Sequence, residues 1–359
     1  MGGMQRHSFF LAKYLAKNKV NVDLYHYKDR SSPDLPHEFT DEELKFLSLH
    51  EVKYPGTMRF PGHYIYERWL YSKRVFEAMK SHPKPDYIYI KGFAGLYILS
   101  KRGYTEHSQA RVGVNFHGFE MFQRWPDLRT GLKFQILRKP VRYSLRRADH
   151  VISYGGKVSE IIRNLGYGKK IVEIPSGISE EWIRSSEEVT APTDVIKFIF
   201  VGRSERRKGI DEIVQAIRGL NSASYEFHFV GPVERRLESN EQVVYHGPVH
   251  SADRIREILD EMDVLVCPSH SEGMPNVILE AMARGLAIIA TDVGAVSTMV
   301  DSTNGWLLPR PDVELLTQTL CECLCTDSDI KARKLASIQK VSSNFTWEKI
   351  IETTLNRLR

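Results

Sequence analysis

The chain has 359 residues, 42% of them hydrophobic, and a net charge of +5, which is long for one domain and apolar enough to bury a sizeable core. No run approaches the roughly 18–20 apolar residues of a membrane-spanning helix, and four cysteines exclude a disulfide scaffold and fit a reducing compartment. The opening MGGMQRHSFF has no apolar signal-peptide core, and Arg6 stands where myristoylation requires Ser or Thr, so a cytoplasmic protein is expected.

The net charge conceals a split. Residues 1–175 hold 30 Lys+Arg against 17 Asp+Glu, a balance of +13, whereas residues 176–359 hold 20 against 28, a balance of -8. Drift of surface charge is the plain explanation. The sharper one is two domains with different partners, the first meeting something anionic: a membrane surface at its inner face, a lipid phosphate or an acidic glycan. No zinc-finger spacing, RNP motif or basic heptad points to nucleic acid.

In chain order, the runs at 20–26, 87–91, 111–116, 149–153 and 170–174 read as strands, with helical patterns near 130–148 and 156–165 between them. A Ser/Glu-rich joint is expected at 176–195. Beyond it, strands are predicted at 196–201, 225–230, 242–245, 263–267 and 287–290. Helices are predicted near 209–219, 252–260, 276–284, 312–325 and 328–341, and FTWEKIIETTLNRLR closes the chain as an amphipathic helix. Alternating β and α units predict two doubly wound parallel-sheet domains. The first spans 1–176 and the second 177–344.

The strongest chemical signal is SEGMPNVILEAMARG at 271–285. Pro275 suits a helix start, Gly273 permits close backbone approach, and the N–H groups of the first turn face an anion. Two carboxylates, Glu272 and Glu280, flank that turn. They suit sugar and ribose hydroxyls; the structural alternative is a dipole partner and an exposed helix residue. The second signal is VGRSERRKG at 201–209, which ends a strand. Arg203 and Lys208 there suit a diphosphate, as fork and point charge, while Arg206 and Arg207 have no distinctive place. A solvated basic loop is the alternative.

These residues together resemble the retaining glycosyltransferases of family four, with their GT-B architecture of two facing Rossmann-like domains. The resemblance rests on E-x7-E (Glu272 to Glu280), with FVGRSERRKG, IPSGI at 174–178, TDVGA at 291–295, NGWLLP at 304–309 and GGMQRHSFFLAKYLA at the front. It implies transfer from a nucleotide-diphosphate sugar, UDP- or GDP-linked, to a glycan or lipid-linked hydroxyl acceptor in surface polysaccharide or glycolipid assembly. By that resemblance Arg203 and Lys208 hold the diphosphate, Glu280 the ribose and Glu272 the sugar hydroxyls. Gly273, Met274, Pro275, Asn276 and Val277 line the pocket, Gly2 and Gly3 close over the diphosphate, and His117 stands beside the reacting sugar. No metal or other cofactor is implied, and the closing helix with Trp347, 345–359, resembles the family's segment that crosses back onto the first domain.

Three departures carry expectations. The strand that precedes the family's glycine loop is absent ahead of Met1, which predicts bare strand edges and an uncovered underside of the helix at 4–17. Ser176 replaces an Asn, and Thr298 a common Glu. Cys321, Cys323 and Cys325 are read as helix packing rather than a metal site, Cys267 as a buried strand residue, and His270 as a polar loop residue. The aromatic stretches 54–69 and 119–129 are acceptor surface or ordinary packing. Competing readings are a nucleotide-sugar-binding partner without turnover, and a sugar phosphorylase of similar architecture.

Overall fold

The computed structural model describes residues 3–28, 35–56, 58, 60, 62–103, 109–125, 127–220, 224–237, 242–325 and 327–358. In the first domain, β1 (Val22–His26) and β2 (Leu47–Glu51) form a parallel pair. A second parallel sheet carries β3 (Tyr87–Lys91), β4 (Arg111–Asn115), β5 (His150–Ser153) and β6 (Ile171–Glu173) in sequence order. Six helices cover them: α1 (Gly3–Lys17), α2 (Asp41–Leu44), α3 (His63–Met79), α4 (Leu96–Ser100), α5 (Leu128–Arg147) and α6 (Gly156–Asn164).

The second domain holds one parallel sheet in the order β12-β11-β10-β7-β8-β9. Its strands are β7 (Ile196–Val201), β8 (Tyr225–Val230), β9 (Val243–Gly247), β10 (Val264–Cys267), β11 (Ala287–Thr291) and β12 (Gly305–Leu308). Its helices are α7 (Ile210–Arg218), α8 (Ala252–Asp260), α9 (Asn276–Ala283), α10 (Val296–Met299), α11 (Val313–Cys325) and α12 (Asp327–Asn344); α13 (Trp347–Leu358) ends the fold. Covered on both faces, β10 and β11 are buried at every residue, which is why VLVC and AIIAT read as unbroken apolar runs. In α7, Ile210, Ile213, Val214 and Ile217 recur at helical spacing and bury against Phe198 and Phe227. The fold is thus two Rossmann-like α/β domains with parallel sheets.

The structure adds elements absent from the sequence reading and corrects the expectation of an uncovered α1. The second half of the aromatic stretch 54–69 is the start of α3, whose Tyr71, Val75, Phe76 and Met79 bury against Val52 and Ile98. Strands β2 and β12 have no counterpart among the predicted elements. The first domain's sheet is divided, because β1 and β3 share no ladder. Yet the underside of α1 is covered: Leu11, Ala12, Tyr14 and Ala16 are buried. Phe39 and Leu47 pack on one side and Trp347 on the other, so a helix from the far end of the chain supplies what the sheet does not. Trp347 stacks on Phe10 and Tyr14 at 5.9 and 6.0 Å between ring centroids.

Candidate active site

In the second domain the chain runs from β7 outward to β8 and β9, then crosses back to β10 and on to β11 and β12. The order therefore reverses between the neighbours β7 and β10. Loops leaving the carboxyl ends of two such strands diverge and leave a crevice, the usual ligand position in a doubly wound sheet. Loop 202–209 leaves β7 there, and loop 268–275 leaves β10. The two touch closely. Gly209 has a φ of 77°, and a Cβ on it would stand 2.1 Å from the Pro268 carbonyl oxygen, so only glycine fits.

The crevice gathers charge. Lys208 Nζ lies 2.6 Å from Glu272 Oε1, Ser269 Oγ donates to the same oxygen at 2.8 Å, and Arg207 Nη1 stands 3.6 Å from Oε2. Glu272 is buried, so these donors satisfy a carboxylate that water cannot reach. Arg207, given no distinct place by the sequence, is part of this cluster. Arg203 is not: it is exposed and pairs with Glu205 at 2.9 Å. Arg206 turns the other way, to Glu212 and His270. His270 is therefore no free loop residue; its Nε2 is 3.0 Å from Glu212. Burial pushes the Glu212 carboxyl up, but hydrogen bonds from His270 and Arg206 outweigh it and hold the group down to about 2.

Pro275 is the N-cap of α9, which begins at Asn276. Met274 is buried, and its Sδ accepts the Ser176 N–H at 3.1 Å; Ser176 Oγ reaches Asn276 Oδ1 at 3.3 Å. Val277 packs at the edge of the second-domain core. Glu280 is not an exposed helix residue. Arg6 of α1 meets one of its oxygens at 2.5 Å, across the domain boundary. Burial raises the Glu280 carboxyl, against the pull of Arg6. Gly3 starts α1, and Gly2 lies outside the described residues.

The first domain supplies the opposite wall. After β4 the chain turns at His117, whose φ of 56° is unusual for a side-chain-bearing residue. Its N–H donates to Asn115 Oδ1 at 2.7 Å and its Nδ1 meets the Tyr154 hydroxyl at 2.7 Å. The next residue, Gly118, is pressed against the donor loop: a Cβ there would sit 2.6 Å from the Glu272 carbonyl oxygen. Gln123 bridges the same gap, donating to the carbonyls of Gly118 and Glu272 and accepting the Glu272 N–H at 3.3 Å. Beside them Glu120 has its carboxyl pushed up by burial, against Arg207 and Lys208.

His7 and Lys91 are paired in the first-domain wall and Glu120 stands near Arg207, Glu272 and Lys208, and sequence reasoning missed all three. His7 and Lys91 come from α1 and the end of β3, which no spacing connects. Glu120, three residues from His117 in NFHGFE, could have been found from its closeness to the histidine.

The remaining candidates lie elsewhere. Cys323 is buried while Cys321 and Cys325 are exposed, as one helix face requires, and Cys267 is buried in β10. Among the described residues no three His, Cys, Asp or Glu side chains are placed to hold a metal. Thr298 Oγ1 donates to the Ala295 carbonyl at 2.7 Å and takes no part in the crevice contacts.

Two facing parallel-sheet domains, with their chemistry gathered at a switch point between them, define the GT-B class. Residues 196–326 match the family described as glycosyl transferases group 1, and residues 1–182 match glycosyltransferase family 4. The second match covers half the chain, which belongs to glycosyltransferase family 4. A Bacillus subtilis protein named as a teichuronic acid biosynthesis glycosyltransferase, TuaC, is 30% identical over 193 residues, 51% of this chain and 48% of that protein. An Escherichia coli protein named as a colanic acid biosynthesis glycosyltransferase, WcaL, is 30% identical over 239 residues, 62% of this chain and 57% of that one. The chain thus spans about half the length of these curated relatives. The structure of Anabaena HepE with UDP and glucose superposes with a TM-score of 0.71 at 15% identity, over 99% of this chain and 96% of that one.

Proposed function

We propose that the protein transfers a sugar from a nucleotide-diphosphate donor, UDP- or GDP-linked, to a hydroxyl acceptor with retention at the anomeric carbon, in surface polysaccharide or glycolipid assembly. The observation that carries this is the Lys208–Glu272–Arg207 cluster at the switch point, faced across the cleft by His117. Negative charge develops on the leaving diphosphate in the transition state. Fixed cations beside it, in a cleft that excludes water, are the largest stabilisers available. Lys208 and Arg207 take this role, and Arg203 turns in from the rim. Glu272 accepts hydrogen bonds from the sugar hydroxyls. Glu280, with Arg6 on one oxygen, accepts from the ribose. The turn Gly273–Val277 and Gly3 at the start of α1 enclose the phosphates. The acceptor hydroxyl attacks from the leaving-group face and passes its proton to a phosphate oxygen.

The acceptor side belongs to the first domain, 1–176, with α13 packed onto it. Its excess of basic residues supports an anionic or membrane-borne acceptor and peripheral contact with the inner face of a membrane. Incubation of the purified chain with UDP-, GDP- and ADP-sugars, followed by binding and slow hydrolysis, tests the reading. At least one donor should bind and release its nucleoside diphosphate. A well-folded protein that binds none overturns it.

A further inference from the structure

Three basic side chains meet in the first-domain wall with no acid among their partners. Lys91 Nζ lies 2.6 Å from His7 Nδ1. The rings of His7 and His117 are edge-to-face, with centroids 6.2 Å apart. His7 is 3% exposed. Burial comes first among the causes that push His7, His117 and Lys91 well below their ordinary values. The charges acting on the two imidazoles, Lys91 on both and His117 on His7, are themselves basic.

The hydrogen bonds bear on which ring nitrogens carry protons once the cluster is charged. Once Lys91 is protonated it has donors and no acceptor, so it then donates to His7 Nδ1 and leaves the His7 proton on Nε2. On the other ring, the Tyr154 hydroxyl is the partner of His117 Nδ1. A hydroxyl that donates there leaves the His117 proton also on Nε2. Both Nε2 atoms are buried and have no partner among the described residues. Buried polar atoms are nearly always satisfied, so two unpartnered ring nitrogens on neighbouring imidazoles call for a ligand.

Both histidines face the donor domain. His117 is followed by the Gly118 contact with Glu272 and Gly273. His7 follows Arg6, the partner of Glu280, and lines a small cavity with Glu280, Asn276 and Ser176. A neutral hydroxyl needs one donor and offers one in return. Two imidazole N–H groups backed by an ammonium, with no carboxylate bonded to any of them, complement a group that only accepts and carries negative charge.

We propose that His7 and His117, oriented by Lys91 and Tyr154, bind a carboxylate on the transferred sugar through their Nε2–H donors, and that Lys91 makes the site select a uronate donor. The inference rests on the transferase reading above. When the carboxylate enters, it gives the suppressed positive charge of the cluster a partner, and the cluster takes up its proton.

The test is calorimetric binding of UDP-glucose against UDP-glucuronate, and of GDP-mannose against GDP-mannuronate, to the full chain. For the nucleotide the protein accepts, the uronate binds at least about tenfold tighter. Lys91→Met removes the charge with little change in volume and brings the ratio to about one; Lys91→Arg keeps most of it. His7→Gln also lowers the ratio. The parent nucleoside diphosphate, lacking a sugar, binds wild type and variants alike and so shows that each is folded. Equal binding of the two sugars to wild type, or a preference that survives in Lys91→Met, overturns the inference and leaves the transferase reading standing. Failure of every nucleotide sugar to bind overturns the transferase reading itself.

Discussion

Lys208 and Glu272 form a close pair in which the carboxylate is buried and the ammonium nearly so. Replacing either leaves the other without its partner in a low-dielectric crevice, and also removes a group assigned to the transition state. Glu272→Ala and Lys208→Ala are each expected to cut turnover at least about 100-fold, about 2.7 kcal/mol of transition-state stabilisation. Steady-state kinetics on the donor found by screening checks this, and unchanged kinetics in both would refute the site. Glu212 gives a pH prediction on stability alone. Its folded value, about 2, lies below its ordinary value of 4.5, so the charged form favours the native state. That contribution is complete above about pH 4.5 and is lost as pH falls toward 2. Wild type should therefore exceed Glu212→Gln in stability to urea at pH 6, and the gap should close over that window. A gap independent of pH would mean that Glu212 acts through packing. At this scale the sequence made legible what sits inside a motif: Glu272, Glu280, Lys208 and the Gly273–Val277 turn. It hid what converges from separate elements. His7 and Lys91 carry no local signature, and Arg207 differs from Arg206 only in the direction the loop gives it.

Among the elements, α13 joins the last residues of the chain to α1. Trp347 is 1% exposed and packs against Phe10, Tyr14 and His7. Trp347→Ala would leave a large cavity between two helices, at an expected cost of about 3–5 kcal/mol, read as a lower denaturant midpoint. The loop after β4 is a second junction. Gly118→Ala puts a methyl group against the backbone of Glu272 and Gly273, atoms that cannot rotate away. The loops must part, and turnover should fall well before stability does; a variant with normal kinetics would show that the contact is dispensable. Periodicity made the longer second-domain helices and most strands readable, since the helices' apolar positions recur at regular spacing and the central β10 and β11 are unbroken apolar runs; the four-residue α10 had no counterpart. It failed for α3, where HYIYERWLYSKRVFEAM mixes aromatic and β-branched residues that suit a strand as well as a helix. It also failed for β2, where the buried Leu47 is followed by exposed and half-buried positions. The covering of α1 by Trp347 depends on a contact more than 300 residues away in sequence, which no local pattern carries.

For the molecule as a whole, the division of charge into +13 and -8 follows the two domains, and the basic one also exposes apolar side chains. Leu132 and Ile136 stand 74% and 55% exposed on α5. Lys139, Arg142 and Arg146 are exposed and continue the same stripe at helical spacing. Met58, Phe60, Tyr64 and Tyr66, exposed in and beside α3, add further apolar and aromatic surface to the same domain. Among the described residues no helix is long and apolar enough to cross a membrane, so contact would be from the side. Apolar side chains beside cations suit the boundary of an anionic bilayer, where each Lys or Arg near the surface contributes about 1 kcal/mol. The protein should therefore sediment with vesicles rich in phosphatidylglycerol and much less with neutral phosphatidylcholine, and raising salt should release it as the Debye length shrinks. A variant combining Leu132→Ser, Ile136→Ser, Lys139→Glu and Arg146→Glu should lose at least about tenfold in vesicle affinity, since both the apolar and the electrostatic parts are removed. Its binding of nucleotide in the second domain should be unchanged, because none of the four lies in the cleft contacts. Equal sedimentation with neutral vesicles, or a variant that binds anionic vesicles like wild type, would move the acceptor away from this face and leave the charge division as ordinary surface composition.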